Sequence, residues 1–429
     1  MIVASNWVGK TFAVLGLARS GAATVSALLE GGASVMAWDS DPAKCEAFAA
    51  HDRLRISPLD DLSGMDALIV SPGVPLNTHP LAAAARALGV PVIGDIELFA
   101  QARHDLPPHK VVGITGTNGK STTTALVHHI LKTAGVPTLM GGNIGLPILG
   151  QAPLPEGGVY VLELSSYQID LTESLDCDVA VLLNLTPDHL DRYDGFAGYA
   201  ASKARLFAMQ SAGHVAVVGM GDEASANIAQ GLAGRADDLA TIMPDATLDQ
   251  SRWPALQGPH NAQNAQAAIA VARALGIGED AISAGLASYA SLPHRMQHVA
   301  TRNGVAFVND SKATNPESTA PALAAFPRVH WIVGGKRKGD DLDACAAHLD
   351  HVVAAYTIGE AAPLFFNLLK DKVPVVEQSG TLAAAVAHAA AAALPGDTVL
   401  LSPACASFDQ FRDYEARGDA FRAAVEALA

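Results

Sequence analysis

Gly113-Ile114-Thr115-Gly116-Thr117-Asn118-Gly119-Lys120-Ser121-Thr122 is the stretch on which the reading of this chain turns. It continues an apolar run, Val111–Thr115, and opens a helical pattern from Thr123 to Lys132. Glycines let a backbone close around an anion with its N–H groups turned inward, and a helix N-terminus adds about half a positive charge. In that frame Gly116, Thr117, Asn118 and Gly119 form a cradle for ATP phosphates. Lys120 faces the β- and γ-phosphates, Ser121 offers its hydroxyl to Mg²⁺, and Thr122 follows. The pattern G-x-x-x-x-G-K-[ST] would place its first glycine at Ile114; here the glycine is Gly116, a tighter loop. An ordinary glycine-rich turn between strand and helix is the competing reading.

Outward from this loop, short apolar runs alternate with helical patterns. Thr11–Gly16, Ser34–Trp38 and Ala67–Val70 precede it. Val159–Leu164, Val179–Leu183, Val215–Val218, Val305–Val308, His330–Val333, Val352–Thr357 and Thr398–Leu401 follow. That rhythm predicts parallel α/β layers, which hold ligands at the carboxyl ends of their strands, where each motif is expected to lie. Breaks after Gly94 and near Leu292-Pro293 divide the chain into residues 1–94, 95–291 and 292–429. The expected fold is α/β in three domains. A Rossmann-like first domain precedes a central P-loop-type ATPase domain with a mostly parallel sheet, and a Rossmann-like α/β domain ends the chain.

The 429 residues are half hydrophobic and 17% charged, a globular composition. A formal net charge of −15 argues against nucleic acid or an anionic membrane as the main partner, so any phosphate needs a local site. Four separated cysteines, Cys45, Cys177, Cys345 and Cys405, suit a reducing compartment and suggest neither disulfides nor zinc. The opening MIVASNWVGKTFAVLGLARSG lacks the basic and apolar blocks of a leader, so a cytoplasmic protein is expected. The Ala383–Leu394 run is too short to span a bilayer and reads as a buried, alanine-rich helix.

Gly16-Leu17-Ala18-Arg19-Ser20-Gly21 follows the first strand, and Asp39 ends the second. Turn and acid are spaced as in a ribose-binding βα unit, although Ala18 replaces the middle glycine. A second turn, Ser71-Pro72-Gly73-Val74, ends the third strand. Two such turns facing one crevice suit a nucleotide or nucleotide-sugar; a dehydrogenase or a turn serving only the fold are the alternatives. Glu163 ends a strand, as a helix cap or, given the phosphate loop, a Mg²⁺ ligand. Asn184-Leu185-Thr186-Pro187-Asp188-His189-Leu190-Asp191-Arg192 concentrates polar groups after the next strand. His189 there is either a second metal ligand or a surface histidine. Lys203, on a helical stretch, reads by itself as a surface lysine.

Together these residues resemble the Mur ligases along essentially the whole chain. The resemblance rests on Gly116–Thr122, Gly141-Gly142-Asn143-Ile144-Gly145, Glu163-Leu164-Ser165-Ser166-Tyr167-Gln168, Asp188–Arg192 and His260-Asn261-Ala262-Gln263-Asn264. Leu292–Arg295, Asn309–Asn315 and Leu401–Phe411 complete it in the family's order. The resemblance implies an ADP-forming ligase of peptidoglycan precursor synthesis that works through an acyl phosphate. Within the family, the Ala406–Phe411 segment and Gly141–Gly145 favour D-glutamate as the amino acid added to UDP-N-acetylmuramoyl-L-alanine, with L-glutamate or another amino acid as alternatives.

By the same resemblance, two Mg²⁺ ions would be held by Ser121, Glu163, His189 and Lys203, the lysine carbamylated by CO₂. Asn264, Asp310 and Arg295 would meet adenine, ribose and phosphates. Arg19, Ser20, Asp39, Ser71, Pro72 and Gly73 would take the uridine end, and Asn143 and Gln168 the sugar-peptide. Lys312, Thr314, Lys338, Ser407 and Tyr414 would take the amino acid, in a monomer with no stable membrane insertion. Gly334-Gly335-Lys336-Arg337-Lys338-Gly339 is more basic than the family pattern, which often has an aspartate near Lys336.

Overall fold

The computed structural model describes residues 1–48, 50–188, 192–243, 248–337 and 339–428. It divides into two compact units: residues 1–243 with 266–285, and residues 244–265 with 286–429. The first unit carries two sheets. β1 (Thr11–Leu15), β2 (Ser34–Trp38), β3 (Leu54–Ile56), β4 (Ala67–Val70) and β5 (Val92–Ile93) pair in the order β3-β2-β1-β4-β5, all parallel. The strand order reverses beside β1, which opens a crevice at its carboxyl end. β6 (His109–Thr115), β7 (Thr138–Gly142), β8 (Gly158–Glu163), β9 (Val179–Leu182), β10 (Val215–Gly219) and β11 (Leu239–Ile242) form the second sheet, β11-β10-β9-β6-β8-β7, again parallel. Here the order reverses at β6, the strand that feeds the phosphate loop.

The second unit holds β12 (Gln297–Arg302), β13 (Val305–Asn309), β14 (Val329–Gly334), β15 (Val352–Ile358), β16 (Val376–Gly380) and β17 (Thr398–Leu401). Their order is β12-β13-β17-β14-β15-β16, parallel except that β12 runs antiparallel to β13. The central strands are largely apolar, as strands covered on both faces must be; every residue of Ala67–Val70, Val179–Leu182, Val329–Gly334 and Thr398–Leu401 is buried, His330 and Thr398 included.

The α/β fold with three sheets is the one expected, and the structure corrects its details. β3, β7, β12 and β16 carry too little apolar sequence to be read as strands: β16 is Val-Glu-Gln-Ser-Gly, and β7 ends in two glycines; β11, Leu-Ala-Thr-Ile, was missed although it is mostly apolar. The helix after the phosphate loop begins at Lys120, not Thr123. Lys203 lies in a helix, as its stretch of sequence predicts, and so does Asn264, so these two are exceptions to the strand-end rule. The alanine-rich run forms a helix, Leu382–Ala392, that is not buried as a whole. Leu382, Ala385, Val386 and Ala389 face the core, while His388 is exposed beside Glu377. Among the described residues no helix is long and apolar enough to cross a membrane.

The helix Asp95–Ala102 follows the first sheet. Its Glu97 carboxylate accepts from the Glu173 and Ser174 N–H groups and the Ser174 hydroxyl at 2.7–2.9 Å. Asp95 is equally buried, yet neither carboxylate oxygen has a partner. Burial pushes it up to about 6, and the nearby N–H groups of Ile96 and Asp95 offset this only in part. The folded state therefore holds a proton that the unfolded chain releases near pH 4, and stability falls as pH rises through that window. Asp95→Asn should stabilise the protein by on the order of 2 kcal/mol at neutral pH. Urea unfolding at several pH values checks this, and the gain should vanish near pH 4; a gain independent of pH would refute the buried-charge account.

Candidate active site

The phosphate loop leaves the carboxyl end of β6. Gly116 has φ +150° and Gly119 φ +83°, conformations that L side chains rarely adopt. A Cβ on Gly116 would press within 3.1 Å of the Leu183 side chain. Asn184 braces the loop from β9's end: its Oδ1 accepts from the Asn118 N–H at 2.8 Å and its Nδ2 donates to the Asn118 carbonyl at 3.2 Å. The Thr117 N–H donates to the Asn184 carbonyl at 2.9 Å. The Lys120 ammonium donates to the carbonyls of Gly116 and Thr117 at 2.8 and 2.7 Å. Lys120 and Ser121 occupy the first turn of the Lys120–Thr133 helix, the positive end of its macrodipole, which favours an anion.

Glu163 ends β8 beside this loop and is 2% exposed. Its Oε1 accepts from Asn143 Nδ2 at 2.9 Å, and its backbone carbonyl from the Asn143 N–H at 2.8 Å. Gly142 has φ +88°, and a Cβ there would collide with the same carbonyl, so a glycine brings Asn143 onto Glu163. Glu163 Oε2 is buried without a partner. A carboxylate with one oriented and one orphaned oxygen beside a phosphate loop fits a magnesium ligand. Among the described residues no three His, Cys, Asp or Glu form a metal cluster. His189 lies outside the described residues. Gln168 is buried, with its Oε1 accepting from the Ser165 N–H and hydroxyl in a capping box.

Lys203 corrects the reading its residue type suggested: it is 1% exposed, on the inner face of the Gly195–Ala208 helix. Its amine donates to Thr115 Oγ1 at 3.2 Å and lies 4.9 Å above the Tyr199 ring centre. Burial, with Lys120 adding to it, lowers its pKa to about 6 against the pull of Asp188, Asp170 and Glu163. Burial thus shifts this amine toward its neutral form at neutral pH.

In the first sheet's crevice, Asp39 Oδ2 accepts from the Leu17 N–H at 2.7 Å and Oδ1 from the Asp41 N–H at 2.9 Å. Burial works to raise its pKa, but these bonds and Lys44 outweigh it and hold it below the usual value. A cavity of about 630 Å³ is lined by Gly16, Trp38, Asp39, Leu59, Gly73 and Val74, among others. Ser71 Oγ donates to the Gly16 carbonyl at 2.9 Å, which ties the two turns together. Ala18, standing where a glycine is common, is exposed with an extended backbone. Arg19 and Ser20 open the Arg19–Glu30 helix, while Pro72 is half-buried and Gly73 exposed.

The second unit gathers its own group. Asp310 accepts from Ser402 Oγ at 2.8 Å and the Met296 N–H at 3.1 Å. Burial raises it to about 7, with Arg295 among the groups pulling the other way. The Lys312 ammonium sits 3.9 Å over the Tyr414 ring. Thr314 is half-buried in the turn before the Pro316–Ala324 helix, and Ser407 is buried. Asn264 donates to Asn261 Oδ1 at 3.1 Å. Lys338 lies outside the described residues.

Residues 10–94 match the Mur ligase MurD-like N-terminal domain, 114–272 the Mur ligase middle domain, and 294–405 the Mur ligase glutamate ligase domain. The UDP-N-acetylmuramoylalanine–D-glutamate ligase of Novosphingobium aromaticivorans is 64% identical over 430 residues, 100% of this chain and 97% of that protein. The chain belongs to the Mur ligase family. The protein of the same name from Sphingopyxis alaskensis is 61% identical to this Mur ligase, with both chains covered in full. The crystal structure of UDP-N-acetylmuramate-alanine ligase MurC from Thermotoga maritima matches it with TM-score 0.59 at 16% identity, over 97% of this chain and 99% of that one, a likeness of fold.

Three residues of this Mur ligase had no role assigned from sequence. Tyr199 is buried under Lys203, with its hydroxyl 3.1 Å from Thr117 Oγ1. Its signal was available, because a tyrosine four residues before a helical lysine shares its face. Asn184 opens a quoted motif, but its grip on the phosphate loop joins two strand ends that only the sheet order makes adjacent. Arg417 is 1% exposed and donates to the Ser311, Cys405 and Ala406 carbonyls and the Ser311 hydroxyl at 2.8–3.2 Å. It ties the backbone next to Lys312 to the backbone next to Ser407. An arginine in a helix of mixed polarity reads as solvent-facing, so nothing in the sequence marked it.

Proposed function

We propose that this Mur ligase joins D-glutamate to UDP-N-acetylmuramoyl-L-alanine with ATP, giving UDP-N-acetylmuramoyl-L-alanyl-D-glutamate, ADP and phosphate. The work is cytoplasmic peptidoglycan precursor synthesis, carried out by a monomer. Residues 1–94 take the UDP-sugar, 95–291 ATP, and 292–429 the amino acid. The names of the relatives support the substrate pair.

A carboxylate is a poor acyl donor because oxide would have to leave. In the first step a substrate carboxylate oxygen bonds to the γ-phosphorus, the bond to the β-phosphate oxygen breaks, and ADP departs. In the second, the D-glutamate amine attacks the acyl carbon, loses a proton, and phosphate leaves. Lys120 and Arg295 neutralise charge where two anions meet. Asn264 and Asp310 hold adenine and ribose. Arg19, Ser20, Asp39 and the Ser71–Gly73 turn hold the uridine end, and Asn143 and Gln168 the sugar-peptide. Lys312, Thr314, Lys338, Ser407 and Tyr414 orient D-glutamate. Ser121, Glu163, His189 and a carbamylated Lys203 would hold two magnesium ions. When bound, magnesium supplies further charge neutralisation at the phosphates and the acyl oxygen.

The observation that carries this reading is Lys203, a buried amine shifted to about 6 beside a phosphate loop. A neutral amine adds to CO₂, forming an N–C bond and releasing a proton, and so becomes an anion suited to a cation. Phosphate release with UDP-N-acetylmuramoyl-L-alanine and a panel of amino acids tests the function. D-Glutamate should give turnover and L-alanine, diamino acids and L-glutamate little. Release with one of those in its place would move the protein to a sibling activity.

A further inference from the structure

Arg192 closes the polar loop after β9 and serves neither the phosphates nor the amino acid in the mechanism above. Its Nη2 donates to the carbonyl of Val74 at 2.9 Å, across 118 residues of sequence. Val74 belongs to the turn that lines the Asp39 crevice: its N–H donates to the Ser71 carbonyl at 3.0 Å, and Ser71 in turn holds Gly16. On its other side the Arg192 guanidinium lies 4.3 Å over the Tyr167 ring. Tyr167 stacks on Tyr193, with centroids 6.1 Å apart and an interplanar angle of 11°. Tyr193 donates to Asp170 at 2.8 Å and meets Tyr199 edge-on at 5.5 Å. Tyr199 ends the series at Thr117 of the phosphate loop. Every member belongs to the first compact unit.

We infer that Arg192 is a positioning residue that fixes the Ser71–Val74 turn for the UDP-sugar, through a guanidinium held flat by Tyr167. The inference rests on the reading of the Asp39 crevice as the uridine site. A planar guanidinium is needed because one group must donate in its plane to Val74 and stack by its face on Tyr167; an ammonium does one or the other. The aromatic series fixes the direction of that donation from the phosphate-loop side. The turn presents Gly73 and Val74 to the crevice and has a single strand, β4, behind it. Without Arg192 it loses a hydrogen bond from outside the first sheet, and a loosened wall weakens binding of whatever fills the crevice.

Steady-state kinetics on Arg192→Lys, Arg192→Ala, Tyr167→Leu and the Arg192→Ala/Tyr167→Leu pair test this, with thermal unfolding of each. Arg192→Ala should raise KM for the UDP-substrate roughly tenfold or more, the loss of one charge-assisted hydrogen bond, with KM for ATP within about twofold. Arg192→Lys should not rescue it. Tyr167→Leu should raise the same KM, and the double variant should be no worse than Arg192→Ala alone, because both changes break one arrangement. Full rescue by lysine would reduce Arg192 to a point charge and overturn the inference. Equal rises in both KM values with a lowered unfolding midpoint would make it merely structural and overturn it too. UDP competition against the parent protein separates the two readings. If UDP does not compete with the UDP-substrate, the crevice assignment has failed. If it competes and Arg192→Ala keeps the parent KM, the positioning role alone has failed.

Discussion

Lys203→Ala should lower turnover by about a thousandfold, about 4 kcal/mol of transition-state stabilisation, with little change in KM for the UDP-substrate. The residue is buried, so alanine also leaves a hole in the core. Lys203→Met, which keeps the volume and lacks the amine, separates the two effects: it should fold like the parent and be as inactive as the alanine variant. Chemical rescue then identifies what was lost. Acetate or formate should partly restore Lys203→Ala, because a small anion can stand where the carbamate stood. Carbamate forms from the neutral amine, so dependence of the parent protein on added CO₂ should sharpen as the pH drops below about 6, the value burial gives Lys203. Parent-level activity in Lys203→Met without added carboxylate would end the carbamate reading.

Lys120→Ala should cost on the order of 3 kcal/mol, about two powers of ten in turnover. Its ammonium reaches the loop carbonyls of Gly116 and Thr117, close to where phosphate charge grows during transfer. The fold should survive, because the loop is held by Asn184, Thr186 and Tyr199 and not by the lysine alone. Acetate should do nothing for this variant, in which a cation is missing. Single-turnover phosphate release, measured on both variants with and without acetate, checks the pair. Activity of Lys120→Ala within a few-fold of the parent would remove the loop from the chemistry.

The phosphate loop was legible because its signal is local: strand, glycines, lysine, hydroxyl and helix are consecutive, and backbone geometry alone makes them a cradle. Glu163 was legible for a related reason, since the strand that ends in it is wholly apolar. Lys203 was not, because its burial is decided by what the helix packs against, and the helix pattern around it is too weakly amphipathic to say which face turns inward. Two edge strands escaped for want of apolar residues: β16 is Val-Glu-Gln-Ser-Gly, and β12 is Gln-His-Val-Ala-Thr-Arg and half-exposed, held by its pairing with β13 and not by its composition. Arg417 shows the opposite limit. A charged side chain gives no sign of burial by its type, and here four backbone and hydroxyl acceptors bring it in.

The bracing of Asn118 by Asn184 also bears on how this protein ages. Asparagine followed by glycine is the dipeptide most prone to lose ammonia, because the unhindered glycine nitrogen can swing onto the side-chain amide and close a cyclic imide. Asn118-Gly119 is such a pair in the phosphate loop, with Asn118 exposed and Gly119 half-buried. The swing requires rotation about the Asn118 backbone, whose N–H and carbonyl are both clamped by one Asn184 side chain. The same two hydrogen bonds that shape the cradle therefore slow its chemical decay. Hydrolysis of the imide would leave a carboxylate in the loop proposed to receive a phosphate, where its charge would oppose that of the ligand.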